Sequence, residues 1–215
     1  MDHLQGCITC SEVEVWRIRL RLRSAEKEIT QLDFPIDVMY PIHKALRVQA
    51  VEADKLVYDY KWGESLQHFR SAFNEWVSVL AYHALTEDVV MFPALKSTAH
   101  VKDSEESHRQ LESGIMEVQK CLDEEIGRTS LLIPRTRRHL YMNIVSLHIA
   151  QNDHLEEEEE FILPIVREEL STSQQLEIAR NLLVDNESDD PRWIMNWLSE
   201  YLSLGEMKLL DDIIA

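Results

Sequence analysis

Four stretches of this chain each carry an apolar stripe with spacings of three and four residues, and that periodicity admits little besides a bundle of long helices. The first stripe runs Ile36, Met39, His43, Leu46, Ala50, Ala53, Val57, and the second Leu66, Phe69, Phe73, Trp76, Leu80, His83, Glu87. The third runs His108, Leu111, Ile115, Val118, Leu122, and the fourth Leu140, Ile144, Leu147, Gln151, His154, Glu158, Phe161, Ile165. A seam of about two positions in seven keeps one face of each helix turned toward its neighbours, as a left-handed four-helix bundle requires. Strands would need alternation and frequent turn residues, whereas the 215 residues include five glycines and six prolines. Gly63 separates the first two helices, Pro93 closes or bends the second, Gly127 ends the third and Pro134 suits the first turn of the fourth. The predicted fold is all-α: an up-and-down four-helix bundle over residues 34–168, a helical N-terminal extension over 1–33, and short C-terminal helices over 169–215.

Each seam is interrupted by one histidine, and two of them add a glutamate four residues later. Positions i and i+4 share a helix face, so His83 with Glu87, and His154 with Glu158, project as pairs toward the bundle centre. The pairs also repeat each other: HALTEDVVMFP (83–93) aligns without gaps to HLEEEEEFILP (154–164). Burying four imidazoles and two carboxylates is costly unless they share a partner, and a cation supplies one. Imidazole with carboxylate suits iron, manganese or zinc, and six side chains exceed what one tetrahedral zinc takes. Within the run DHLEEEEEFILPIV (153–166), Glu158 alone has the repeat spacing. Glu156, Glu157, Glu159 and Glu160 are expected to form a solvated acidic face.

The order His43, then His83 with Glu87 ahead of Phe-Pro, then His108, then His154 with Glu158 ahead of Leu-Pro resembles the hemerythrin-like, or HHE cation-binding, family over residues 34–168. The resemblance implies a four-helix bundle holding two iron ions in an oxo- or hydroxo-bridged non-haem centre, with zinc or manganese as substitutes. It implies that His43, His83, His108 and His154 are terminal ligands and that Glu87 and Glu158 bridge the metals. Water, hydroxide or dioxygen would complete the coordination. Oxygen-carrying members use five histidines, and here only four lie on the seams. His148 is the candidate for a fifth ligand or for a hydrogen-bond donor flanking the site. His68, His100 and His139 are expected at the surface, and His3 in the tail.

The C-terminal stretches STSQQLEIARNLL, WIMNWLSEYLS and LGEMKLLDDIIA read as short helices, with capping-box spacing at Ser171/Gln174 and Ser203/Glu206. This tail resembles the segment C-terminal to hemerythrin domains in BRUTUS-type plant and algal ubiquitin ligases, which respond to iron, although the RING and zinc-finger cysteines of such ligases are absent. Trp193 and Trp197 could dock a partner, but packing on the bundle is the favoured expectation. In the N-terminal extension, Ser11/Glu14 suggests a helix, and the Cys7/Cys10 pair is a weak signal for zinc or redox chemistry.

Charge narrows the partners. A formal net charge of −17 repels phosphate backbones and anionic membranes, so nucleic acid and membrane are not expected as partners. Three cysteines, Cys7, Cys10 and Cys121, form no disulfide framework, and no leader or spanning segment is evident, pointing to the cytoplasm or nucleus. The functional expectation is an iron or oxygen sensor in iron homeostasis. A di-iron oxidase or peroxidase and a reversible oxygen-binding protein are the alternatives, and no general acid or base stands out to favour an enzyme.

Overall fold

A computed structural model describes residues 27–60, 66–96, 99–126 and 134–215. Within these residues every regular element is helical. A 3-10 turn, Pro35–Val38, leads into α1 (Met39–Tyr58). Then come α2 (Gln67–Thr86), α3 (Ala99–Lys120) and α4 (Pro134–Glu157), so Pro134 does begin its helix. Short helices complete the chain: α5 (Leu163–Glu169), α6 (Thr172–Leu183), α7 (Trp193–Tyr201) and α8 (Leu204–Ile214). The expected breaks at Gly63 and Gly127, the N-terminal helix and the Cys7/Cys10 pair lie outside the described residues.

The four long helices form a ring in which each packs antiparallel on its neighbours. His43 meets His83 and Gln49 meets Glu75 across α1 and α2, while His43 meets Glu159 and Asp54 meets His148 across α1 and the α4 segment. Away from the histidine layer the predicted seams close into an apolar core in which Leu46, Phe73, Trp76, Leu80, Leu140 and Ile144 are all buried. Gln151, one turn below His154, divides that core from the polar layer: its Oε1 accepts from Trp76 Nε1 at 2.6 Å and its Nε2 donates to the Leu46 carbonyl.

Three π turns went unpredicted: one, Cys121–Ile126, follows α3, and the other two share the internal repeat. Immediately after α2 and α4 the helix widens into π turns, Glu87–Met91 and Glu158–Ile162. The Phe92 amide bonds the Glu87 carbonyl and the Leu163 amide bonds that of Glu158, each five residues back. Pro93 and Pro164 come immediately afterwards; a proline ring crowds the carbonyl four residues earlier, and opening the turn relieves that clash. These two widened turns therefore belong to the internal repeat and begin on its two glutamates.

The C-terminal helices pack on the bundle. Both expected capping boxes form, with Ser171 and Ser203 hydroxyls accepting from the Gln174 and Glu206 amides. Trp197 is buried and donates to Gln49 Oε1 of α1 at 3.1 Å. Half-buried Trp193 meets the Tyr82 ring edge-on at 5.4 Å. Glu206 is almost wholly buried, and accepts from Lys44 Nζ at 2.6 Å and from the Ile29 and Ser203 amides. Glu206→Ala strands a half-buried ammonium and two amide donors, so a loss of about 2 kcal/mol is expected in denaturant unfolding, with Glu206→Gln recovering part of it.

Candidate metal centre

At the end of the bundle bearing the repeat's π turns the structure brings all six predicted residues together. His43 and Glu87 are fully enclosed, as is Glu158, and His83, His108 and His154 are nearly so. Their inward atoms form two groups that could each hold an ion: His43, His83, Glu87 and Glu158, and Glu87, His108, His154 and Glu158. The two glutamates belong to both groups. Glu87 turns Oε1 to His83 Nε2 at 3.2 Å and Oε2 to His108 Nε2 at 3.1 Å. Glu158 turns Oε1 to His154 Nε2 at 3.2 Å and Oε2 to His43 Nε2 at 3.5 Å.

The nitrogen pairs have the spacing of ligands on one ion. His43 Nε2 and His83 Nε2 lie 3.2 Å apart, and His108 Nε2 and His154 Nε2 lie 3.1 Å apart. Two nitrogens each about 2.1 Å from a metal and at right angles would stand about 3.0 Å apart. Glu87 Oε1 and Oε2 and Glu158 Oε2 are buried with no hydrogen-bond donor, so three of the four carboxylate oxygens lack the partner that burial demands. Glu158 Oε1 accepts from Ser104 Oγ at 3.3 Å. Metal binding would answer these orphans, and the residues present fit it.

Behind this ring lie two acids that sequence reasoning assigned elsewhere or passed over. Glu159, expected on the solvated face, instead accepts from His43 Nδ1 at 2.8 Å and pairs with Arg47 at 2.9 Å. Asp88 accepts from His108 Nδ1 at the same distance of 2.8 Å. Each comes one residue after a shared glutamate, inside a π turn, and reaches the histidine of another helix. Such a bond holds Nδ1 outward on its acid and turns Nε2 toward the ring. The signal was present in the repeat, where Glu87-Asp88 aligns with Glu158-Glu159. Nδ1 of His83 and of His154, the motif histidines, has no hydrogen-bond partner.

His148 is not part of the ring. Six residues from His154 is one and two-thirds turns, which rotates it off the seam by about 120° and about 9 Å along the axis. There it is buried and bonds Asp54 Oδ2 at 2.8 Å. His68, His100 and His139 are exposed, as expected.

Burial and mutual charge shift the ring residues in opposite directions. Burial, and then the charge of Glu158, pushes Glu87 up to about 7. Burial holds His154 down at about 4 and also lowers His43. For His108 burial is outweighed by the neighbouring carboxylates of Glu158 and Glu87, and it rises to about 11. His83 rises too, burial being outweighed by Glu87 and Glu158, and Glu158 falls well below its usual range, burial being outweighed by His154 and its neighbours. Burial likewise fails to raise Glu159, which His43 and Arg47 draw down to about 2.

The sequence model of the hemerythrin HHE cation binding domain matches residues 35–166. The chain belongs to the hemerythrin family. That stretch includes all six ring residues, Asp88 and Glu159, and ends within α5, before α6 begins. Among curated proteins and among solved structures none matches this hemerythrin-family chain significantly. No helix of the described residues is long and apolar enough to cross a membrane. The chain thus carries a metal-binding domain of the hemerythrin type.

Proposed function

We propose that this hemerythrin-family protein holds two iron ions and senses iron or oxygen, with His43 and His83 on one ion, His108 and His154 on the other, and Glu87 and Glu158 across both. The observation that carries the reading is that one buried ring draws ligands from all four helices while three of its four carboxylate oxygens have no donor. A metal pair is then part of what holds the helices together, and its loss is a structural event rather than a local one. When bound, two iron ions would supply redox change and open positions for a small ligand. The chain's own residues orient the imidazoles through Glu159 and Asp88, exclude water through the Gln151 layer, and fasten the C-terminal helices one residue from His43 through Lys44.

Sensing a small ligand needs open coordination positions, and that requirement favours iron over zinc. Two nitrogens and two oxygens per ion would complete a tetrahedral zinc but leave about two positions open on a six-coordinate iron. The resemblance of the tail to BRUTUS-type ligases supports a role in iron homeostasis. Metal analysis of protein purified without chelator tests the reading: about two irons per chain are expected, falling to one or fewer in His83→Ala and His154→Ala. Zinc alone, or no metal, sinks the di-iron proposal. Peroxide turnover that disappears in Glu158→Ala would instead move the reading to an oxidase.

A further inference from the structure

A cleft of about 490 Å³ opens between α3 and the π turn Glu158–Ile162 and runs inward to the ring. Asp103, Glu106 and Glu157 stand exposed at its mouth, Ser107 is half-buried, and Ser104 and Glu158 are buried at its inner end. His100 stacks on Phe161 at 4.7 Å and forms one wall. Among the described residues no lysine or arginine lines the cleft.

We propose that this cleft is the path by which a divalent cation reaches and leaves the buried ring, an inference that rests on the metal-binding reading above. Two independent features carry it. The first is charge: Arg109 neutralises Glu106, but Asp103 and Glu157 make no ion pair among the described residues, so the mouth attracts cations and repels anions. The second is what the path ends on. Glu158 has no exposure and lines the inner end, where its Oε1 stands 3.2 Å from His154 Nε2; its other oxygen, Oε2, faces His43 and has no hydrogen-bond donor. The larger cleft beside α1, α2 and α7, about 600 Å³, is also acidic, yet it reaches Gln49, whose amide is already bonded to Glu75 and Trp197.

Small side chains keep the path open. Ser104 precedes His108 by four residues and shares its helix face, so its position looks into the ring, and its hydroxyl donates to Glu158 Oε1. Ser107, half-buried, lines the same cleft. The path therefore leads first to the half of the ring held by His108 and His154.

The test tracks Co(II) uptake by metal-free protein through its visible absorption, and release to excess EDTA. With Asp103→Lys and Glu157→Lys combined, uptake at low salt is expected to slow about tenfold, the deficit shrinking as salt screens the mouth. Ser107→Trp plugs the path without touching the ring, and both uptake and release should slow about tenfold at unchanged final cobalt content. Glu112→Lys, an exposed reversal of the same sign elsewhere on α3, is the control and should leave both rates near wild type. Full cobalt content with wild-type rates in both the charge and the plug variants overturns the path while leaving the metal site standing. If Ser107→Trp loses content, the charge variant decides. Wild-type protein that takes up no cobalt or iron overturns the metal-binding reading, and the path with it.

Discussion

Protein stripped of metal is expected to melt roughly 20 °C below the iron-loaded form. An ion held at a thousand times its Kd adds about 4 kcal/mol, so two add about 8 kcal/mol. In a chain of this size each kcal/mol moves the midpoint by about 2–4 °C. The sign comes from the ring: without a cation, six buried polar groups are left to satisfy one another, with Glu87 pushed up to about 7 by burial and the neighbouring Glu158. The damage should be uneven. The apolar core around Phe73, Trp76, Leu140 and Ile144 lies on the other side of the Gln151 layer and needs no metal. Hydrogen exchange should therefore accelerate in the ring-bearing ends of α2 and α4 and in both π turns of the repeat, far more than in the middle of the helices. Calorimetry of loaded and chelator-treated protein checks the first statement; coincident melting curves would remove the proposed sensing mechanism.

The second large effect is expected from Glu158→Gln, which should cost both ions from a single substitution. The amide keeps the shape of the side chain and one oxygen but removes a charge shared by both halves of the ring. Iron content should fall from about two per chain to well under one, and the melting point in the presence of iron should fall to that of metal-free wild type. Glu87→Gln should also lose metal, yet in chelator it should match or exceed metal-free wild type in stability. The reason is that a buried like-charge repulsion has been relieved. Opposite signs for one variant, loaded against stripped, separate a binding residue from one that merely packs. A variant destabilised equally in both states would falsify the shared role given to these glutamates.

The bundle and its ring were legible because both rest on periodicity. Seams at spacings of three and four placed His43, His83, His108 and His154 on inward faces, and the gapless repeat picked Glu158 out of five consecutive glutamates. The features that stayed hidden are those that break the regular 3.6-residue helix. Pro93 was visible as a breaker and Pro164 as its counterpart in the repeat, but the π turns ahead of them were not, and those turns bring Asp88 and Glu159 to their histidines. Glu159 looked like surface for that reason. His148 was drawn toward the site by its nearness in sequence to His154, although helical rotation takes it to Asp54 on another face. Tertiary partners such as Asp54, Lys44 and Ser104 leave no local pattern to read.

The Lys44–Glu206 contact has a consequence for how this protein can be cut and recombined. The stretch matched by the family ends at residue 166, yet α1 hands Lys44 and Gln49 to helices beyond it. A fragment trimmed to the family boundary would bare the apolar patch beneath Trp197 and leave a half-buried lysine without its counter-charge. The C-terminal helices are thus a fitted lid and not a passenger. Grafting experiments that treat the four long helices as an exchangeable cassette should carry residues through 215 or expect insoluble protein.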